Sequence, residues 1–191
     1  TVTGEGYRWK NVGVMANKGI ELSADGDVIR TKDFTWNVSA NVSYNQNRLK
    51  ELYNGVTEYV NSTTGLKYVV GHSVSEFFLN RYAGVNPANG EQLWYDKDGN
   101  VTNEFRESDK VMTGKTYDAP WMGGFGTSFR WKGLQLSAQF SWIGTRYVIN
   151  NDRYFEESGV TFGTAYNQSN RLLYDRWKQP GDITDIPRWG E

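Results

Sequence analysis

Between Phe125 and Trp142 apolar and polar residues alternate on both sides of Lys132-Gly133. That is the period of a strand, in which successive side chains point to opposite faces. Lys132-Gly133 reads as a two-residue hairpin turn, with the glycine supplying the positive φ such turns need. The turn predicts four cross-strand pairs on one face: Trp131 with Leu134, Phe129 with Leu136, Thr127 with Ala138 and Phe125 with Phe140. The opposite face carries Gly126, Ser128, Arg130, Gln135, Ser137, Gln139 and Ser141. A second strand has the same two-sided character. Trp36, Val38, Ala40, Val42 and Tyr44 share one face, and Thr35, Asn37, Ser39, Asn41, Ser43 and Asn45 share the other. A face of Asn and Ser does not suit a dry core, where each amide needs a partner. A further strand is predicted over Val14–Ala24, with Ile20, Leu22 and Ala24 alternating with Gly19, Glu21 and Ser23, and Asp25-Gly26-Asp27 reads as the turn that ends it.

Connection lengths are uneven. Short turns fall at Asp25-Gly26-Asp27 and Lys132-Gly133, while residues 46–120 and those from 145 onward form long polar stretches. Asn54-Gly55, Asn89-Gly90 and Asp98-Gly99 mark turns inside the first of these. Strands with one lipid-compatible face, one small-polar face, short turns at one end and long loops at the other are the pattern of a transmembrane β-barrel. Trp36 and Tyr44 are eight residues apart. That is about 26 Å of strand and roughly 20 Å of depth at a tilt of about 40°, close to the distance between two aromatic girdles. The fold expected is therefore all-β, with antiparallel up-and-down strands forming part of a transmembrane barrel and long extracellular loops. About four long strands cannot close such a barrel, so the chain reads as a segment of a larger protein. Its opening Thr1-Val2-Thr3 and its end Arg188-Trp189-Gly190-Glu191 fit that expectation.

Composition changes this picture little. The 191 residues carry a formal charge of −1, which gives no basic patch for nucleic acid. There is no cysteine and a single histidine, His72, so neither a disulfide framework nor a Cys/His metal site is expected. Eight Trp, 12 Tyr and 21 Gly suit a β protein with polar loops. No run of 18 apolar residues exists, and this leaves a barrel open because its strands are only half apolar.

Several stretches resemble the SusC/RagA class of TonB-dependent outer-membrane transporters. Asn17-Lys18-Gly19-Ile20-Glu21-Leu22 is similar to that family's Asn-x-Gly-Ile/Val-Glu-Leu strand. Phe34-x-Trp36 with Asn41-x-Ser43-x-Asn45-x-Asn47 resembles the strand after it. Tyr82-Ala83-Gly84-Val85-Asn86-Pro87, then Gly90 and Asp96-x-Asp98-Gly99, resembles a loop segment. Trp131-Lys132-Gly133-Leu134 resembles a late hairpin, and Arg176-Trp177 with Pro180-Gly181-Asp182-x-Thr184-Asp185-Ile186-Pro187-Arg188 a late extracellular loop. Gly71-His72-Ser73 stands where the family pattern has Gly-x-Pro. The resemblance implies that residues 1–191 are a late segment of the receptor's barrel domain, without the plug and the remaining strands. It implies location in the outer membrane, in contact with its lipid, and import of glycans or peptides. The implied partners are a SusD-like surface lipoprotein and, through the missing N-terminal part, TonB. Neither a cofactor nor enzymatic activity is implied.

Candidate chemistry is sparse. Asp96-Lys97-Asp98-Gly99-Asn100 has the opening of a calcium loop, but Glu107 is one place out for the closing ligand, and a turn between two strands is the simpler reading. Glu156, Glu157 and Asp175 are candidate catalytic carboxylates without a defined pair spacing, or solvated loop charge. The loop aromatics Tyr59, Tyr68, Trp94, Tyr95, Tyr117 and Trp121 offer flat rings for a sugar or peptide, for a partner lipoprotein, or for packing the loop on itself. Two other classes stay open from the residues alone: a soluble aromatic-rich β-sandwich that binds carbohydrate, and a β-rich glycan hydrolase.

Overall fold

A computed structural model describes residues 13–61, 66–157 and 167–189. In chain order the strands are β1 (Gly13–Arg30), β2 (Phe34–Leu52), β3 (Glu58–Val60), β4 (Lys67–Val69), β5 (Glu76–Leu79), β6 (Arg81–Val85), β7 (Gln92–Tyr95), β8 (Val101–Thr102), β9 (Val111–Thr116), β10 (Trp121–Trp131) and β11 (Leu134–Ile143). Two short helices follow, α1 (Asn151–Glu157) and α2 (Arg171–Tyr174). The chain divides into two units, one of residues 1–77 and 114–147, the other of residues 78–113 and 148–191. No helix among the described residues is long and apolar enough to cross a membrane, which says nothing of strands.

The first unit is built on one four-stranded sheet, order β1-β2-β10-β11, with every neighbouring pair antiparallel. The all-β, up-and-down expectation is borne out. The β10–β11 hairpin has the register the alternation dictates, with Trp131 opposite Leu134, Phe129 opposite Leu136, Thr127 opposite Ala138 and Phe125 opposite Phe140. One detail differs: the positive φ of the turn sits on Lys132, at 50°, and Gly133 lies outside the left-handed region. The Lys132 N–H donates to the Asp33 carbonyl at 2.8 Å, so both short turns lie at the same end of the sheet.

Asp25-Gly26-Asp27 is not a turn. It lies inside β1, and the chain reverses at Thr31-Lys32-Asp33 instead. There the Thr31 hydroxyl accepts from the Phe34 N–H at 2.9 Å, a side-chain cap on the turn. A bulge explains how β1 continues: Val28 has no opposite residue, between Asp27 paired with Asn37 and Ile29 paired with Trp36. The extra residue returns Ile29 to the apolar face and leaves Asp27 on the polar one. There Asp27 accepts from Asn37 at 3.2 Å and pairs with Arg30 at 3.4 Å.

The stretch after Asn45 is also more ordered than its polarity predicts. β2 runs on to Leu52, and β3 and β4 form a small antiparallel hairpin. In the second unit β6, β7 and β8 form a three-stranded antiparallel sheet. Residues 175–189 carry a parallel bridge, Arg176 to Ile186. Buried apolar side chains are few: Leu49 in the first unit, and Val85, Leu172 and Ile186 in the second, among the described residues.

Candidate functional site

The two faces of the large sheet are chemically separate. On one face the register aligns six levels: Phe34/Trp131/Leu134, Trp36/Phe129/Leu136, Val38/Thr127/Ala138, Ala40/Phe125/Phe140, Val42/Gly123/Trp142 and Tyr44/Trp121. Ile20, Leu22, Ala24 and Ile29 of β1 extend these levels. Among the described residues nothing covers this face: Leu136 is 69% exposed, Leu134 68% and Ile20 66%. At one end Trp36 stacks on Phe129 at 5.6 Å, and at the other Tyr44 meets Trp121 at 4.7 Å. Phe125 stacks on Phe140 at 4.6 Å between them. Within this face the Trp36 indole N–H donates to Thr127 Oγ1 at 2.9 Å. Glycine serves close approach at Gly123, where an added Cβ would come within 2.4 Å of the Asn41 carbonyl and 2.9 Å of the Trp142 ring.

The other face carries Asn, Ser, Gln and small residues. Asn47 donates to Asn17 across the β1–β2 pair at 2.8 Å. At its loop end this face receives the chain returning from β4. Gly71 donates to the Leu49 carbonyl at 2.8 Å, Leu49 to the His72 carbonyl at 2.8 Å, and Val74 N–H to Asn47 Oδ1 at 3.0 Å. His72, which precedes the Ser73 that stands in place of the family pattern's proline, places Nδ1 2.9 Å from Glu76 Oε2. The other Glu76 oxygen accepts from Gly114 N–H at 2.7 Å, so this buried carboxylate has both oxygens occupied. These groups border a polar cavity of about 670 Å³ that also includes Asn17, Asn45 and Ser73.

All six aromatic candidates have partners within their own unit. Tyr59 and Tyr68 face each other across the β3–β4 hairpin, nearly parallel at 6.4 Å. The Arg146 guanidinium lies over the Tyr117 ring at 4.5 Å. Trp121 is not in a loop: it opens β10 and forms the far end of the apolar face. In the second unit Trp94 sits edge-on between Tyr82, at 5.2 Å, and Phe105, at 5.0 Å, and the Arg81 guanidinium covers Tyr95 at 5.4 Å.

The second unit brings together the motifs that are far apart in sequence. The Trp177 ring covers Gly90, whose φ is 78°, so closely that a Cβ there would come within 2.5 Å of it. The Trp177 indole N–H donates to the Pro87 carbonyl at 3.0 Å, Gly181 N–H to the same carbonyl at 2.8 Å, and Arg188 N–H to the Gly90 carbonyl at 3.0 Å. Tyr82 donates to the Asp185 carbonyl at 3.1 Å, and burial, with a smaller contribution from the Asp185 charge, pushes its hydroxyl up to about 12. Two of the three carboxylates that suggested catalysis, Glu157 and Asp175, are absorbed in ion pairs. Arg171 donates to both oxygens of Glu157 (3.0 and 2.9 Å) and of Asp185 (2.8 and 3.0 Å), and to Asp175 at 3.3 Å. Arg153 reaches Glu157 at 2.9 Å and Asp185 at 3.4 Å. The hydrogen bonds from Arg171 hold the Asp185 carboxyl below the usual carboxylate range. Asp96 is the cap of its turn, accepting from Asp98 N–H at 2.9 Å and from Asn100 N–H at 2.8 Å. Hydrogen bonds from the Asn100 side chain and backbone lower its pKa first of all. Among the described residues no three His, Asp or Glu converge as a metal site.

Asn47, Glu76 and Arg171 carry the loop architecture without standing out in the sequence. Asn47 is one of a ladder of similar residues, and beyond one i,i+4 contact each, to His72 and to Asp175, the partners of Glu76 and Arg171 come from distant parts of the chain.

Comparison with known proteins finds no matching family model. The TonB-dependent receptor SusC of Bacteroides thetaiotaomicron is 27% identical over 179 residues, covering 84% of this chain and 17% of that protein. The TonB-dependent receptor P3 of Formosa agariphila is 25% identical, covering 94% and 19%. Solved structures of the RagAB peptide transporter and of the RagAB peptide importer in its open-open state each align with all of this chain at 33% identity, with TM-scores of 0.85 and 0.86. The chain spans about a fifth of the length of these relatives.

Proposed function

We propose that this chain, a partial SusC/RagA-like receptor by sequence and fold, forms part of the barrel wall and outer loops of a TonB-dependent outer-membrane transporter. One observation carries the reading: a single-layer antiparallel sheet whose apolar face, bounded by aromatic residues at both ends, lies uncovered. From Trp131 to Trp121 the strand rises ten residues, about 34 Å of length and about 26 Å of depth at a tilt of about 40°, which matches the apolar band of an outer-membrane barrel. The apolar face meets lipid, and the Asn/Ser face lines the water-filled interior.

In this reading the complete receptor imports glycans or peptides with a SusD-like surface lipoprotein and engages TonB through its N-terminal part. The role is transport, not catalysis. Tyr59, Tyr68, Trp94, Tyr95 and Tyr117 are the loop aromatics available to cargo or lipoprotein, and Trp121 belongs to the girdle.

The test is an immunoblot of fractionated membranes from the native organism with an antibody against this segment. A band several times larger than 21.8 kDa in the outer-membrane fraction is expected. A soluble band near 21.8 kDa would refute the reading and favour a carbohydrate-binding module.

A further inference from the structure

The polar face of the first unit changes chemistry at its loop end. Asn45 and Asn47 of β2 share that face with Leu49, which is only 6% exposed and pairs with Met15 of β1. The segment that returns after β4 is tied to the same spot through Leu49 and Asn47. A cavity of about 670 Å³ opens there, lined by Met15, Leu49, Leu52, Val56 and Val74. The stacked Tyr59–Tyr68 pair forms a further wall. Among the described residues that line it none is charged, and the polar side chains besides the tyrosines are Asn54 and Asn61.

Position and lining narrow what it holds. The cavity lies on the face assigned to water, so the lipid that covers the opposite face cannot reach it. An aliphatic hollow left wet is unfavourable, and its volume is that of a ligand pocket. A charged group would lose its hydration without a partner. A sugar ring would bring a rim of hydroxyls against aliphatic walls, leaving most of them unpaired. We infer that this hollow is a subsite for an uncharged aliphatic or aromatic side chain of a peptide. This deepens the reading of the chain as part of a transporter and rests on it. Leu49 and Met15 form the floor and the tyrosine pair a side wall.

The test uses the complete purified receptor and two pools of fluorescein-labelled octapeptides of equal charge, one rich in Leu and Phe, the other with Ser in their place, read by fluorescence polarisation. The parent receptor is expected to prefer the Leu/Phe pool. Val56→Asp, at a half-exposed wall position, is expected to weaken that pool by at least about tenfold and leave the Ser pool within about twofold. Val56→Thr, nearly the same size with one hydroxyl, is expected to weaken the Leu/Phe pool by about threefold, and is the variant read if Val56→Asp yields no folded receptor. Four results would each overturn the inference: no preference by the parent, equal weakening of both pools, no weakening, or displacement of the Leu/Phe pool by maltoheptaose. Failure of the transporter reading is separate and shows as a parent receptor absent from the outer-membrane fraction.

Discussion

Ala138 and Ser137 are neighbours on β11 that face opposite ways, and arginine at each position tests the assignment of the two faces. Ala138 pairs with Thr127, four residues from Trp131 and six from Trp121. At about 3.4 Å per residue and a tilt of about 40°, it lies about 10 Å inside one girdle and about 16 Å inside the other, near the middle of the apolar band. Arginine at that depth on a lipid face costs about 2–4 kcal/mol, or roughly 30- to 900-fold in the ratio of folded to unfolded protein. Ser137 faces the wet side, where the same side chain stays hydrated and costs close to nothing. Leu136→Arg and Val42→Arg, each about 5 Å inside a girdle by the same arithmetic, should cost less than Ala138→Arg. The assay is the fraction of full receptor that reaches the outer membrane and resists urea extraction. If Ala138→Arg and Ser137→Arg assemble equally well, the lipid-facing assignment is wrong.

Three further outcomes follow from particular contacts. Thr127→Val removes the acceptor of the Trp36 indole N–H and should destabilise the barrel by about 1–3 kcal/mol, whereas Thr127→Val combined with Trp36→Phe should recover most of that loss in urea titrations. Gly90→Ala combines a φ of 78° with a Cβ driven into the Trp177 ring, so it should cost at least about 1–2 kcal/mol and appear as faster proteolysis between Pro87 and Arg188; unchanged proteolysis would contradict the packing described. Asp185 has a lowered folded-state pKa, so its contribution is fully present above the ordinary carboxylate pKa of about 4 and is lost as pH falls through the lowered value. Hydrogen exchange over residues 171–186, corrected for intrinsic rates, should lose protection on acidification, and Asp185→Asn should show lower protection at neutral pH with a smaller further loss. An identical pH profile in the variant would exclude Asp185 as a contributor.

The strands were legible where one rule acted alone. Phe125–Trp142 alternates without a competing signal, and its turn length forces the register that the structure shows. The first hairpin misleads because Asp25-Gly26-Asp27 has turn chemistry yet lies in β1: the bulge at Val28 absorbs the irregularity, and the Thr31 cap makes the turn farther along. The motifs of the second unit were recognisable as words but not as contacts. Nothing in the spacing says that Trp177 lies on Gly90, or that one arginine gathers Glu157, Asp175 and Asp185. The i,i+4 pairs Arg153–Glu157 and Arg171–Asp175 have a spacing the sequence shows, whereas the bonds from Arg171 to Glu157 and Asp185 depend on how the chain folds back. The aromatic candidates were found by composition alone, which cannot separate Trp121 in the girdle from Tyr59 beside the cavity.

The sheet of the first unit has almost no interior. In the proposed reading lipid takes the place of a core on one side and water fills the other, so few of its side chains interlock with a partner of fixed shape. Substitution along these strands is held to a property, greasy or wet, rather than to a particular residue. Such a wall can drift far in sequence while its outline persists. That is how relatives only 25–27% identical to this chain can coexist with structures, themselves only 33% identical, that superpose on all of it at a TM-score of 0.85. By the same logic the slowest drift should be at Gly123 and Gly90, where a single added carbon has nowhere to go.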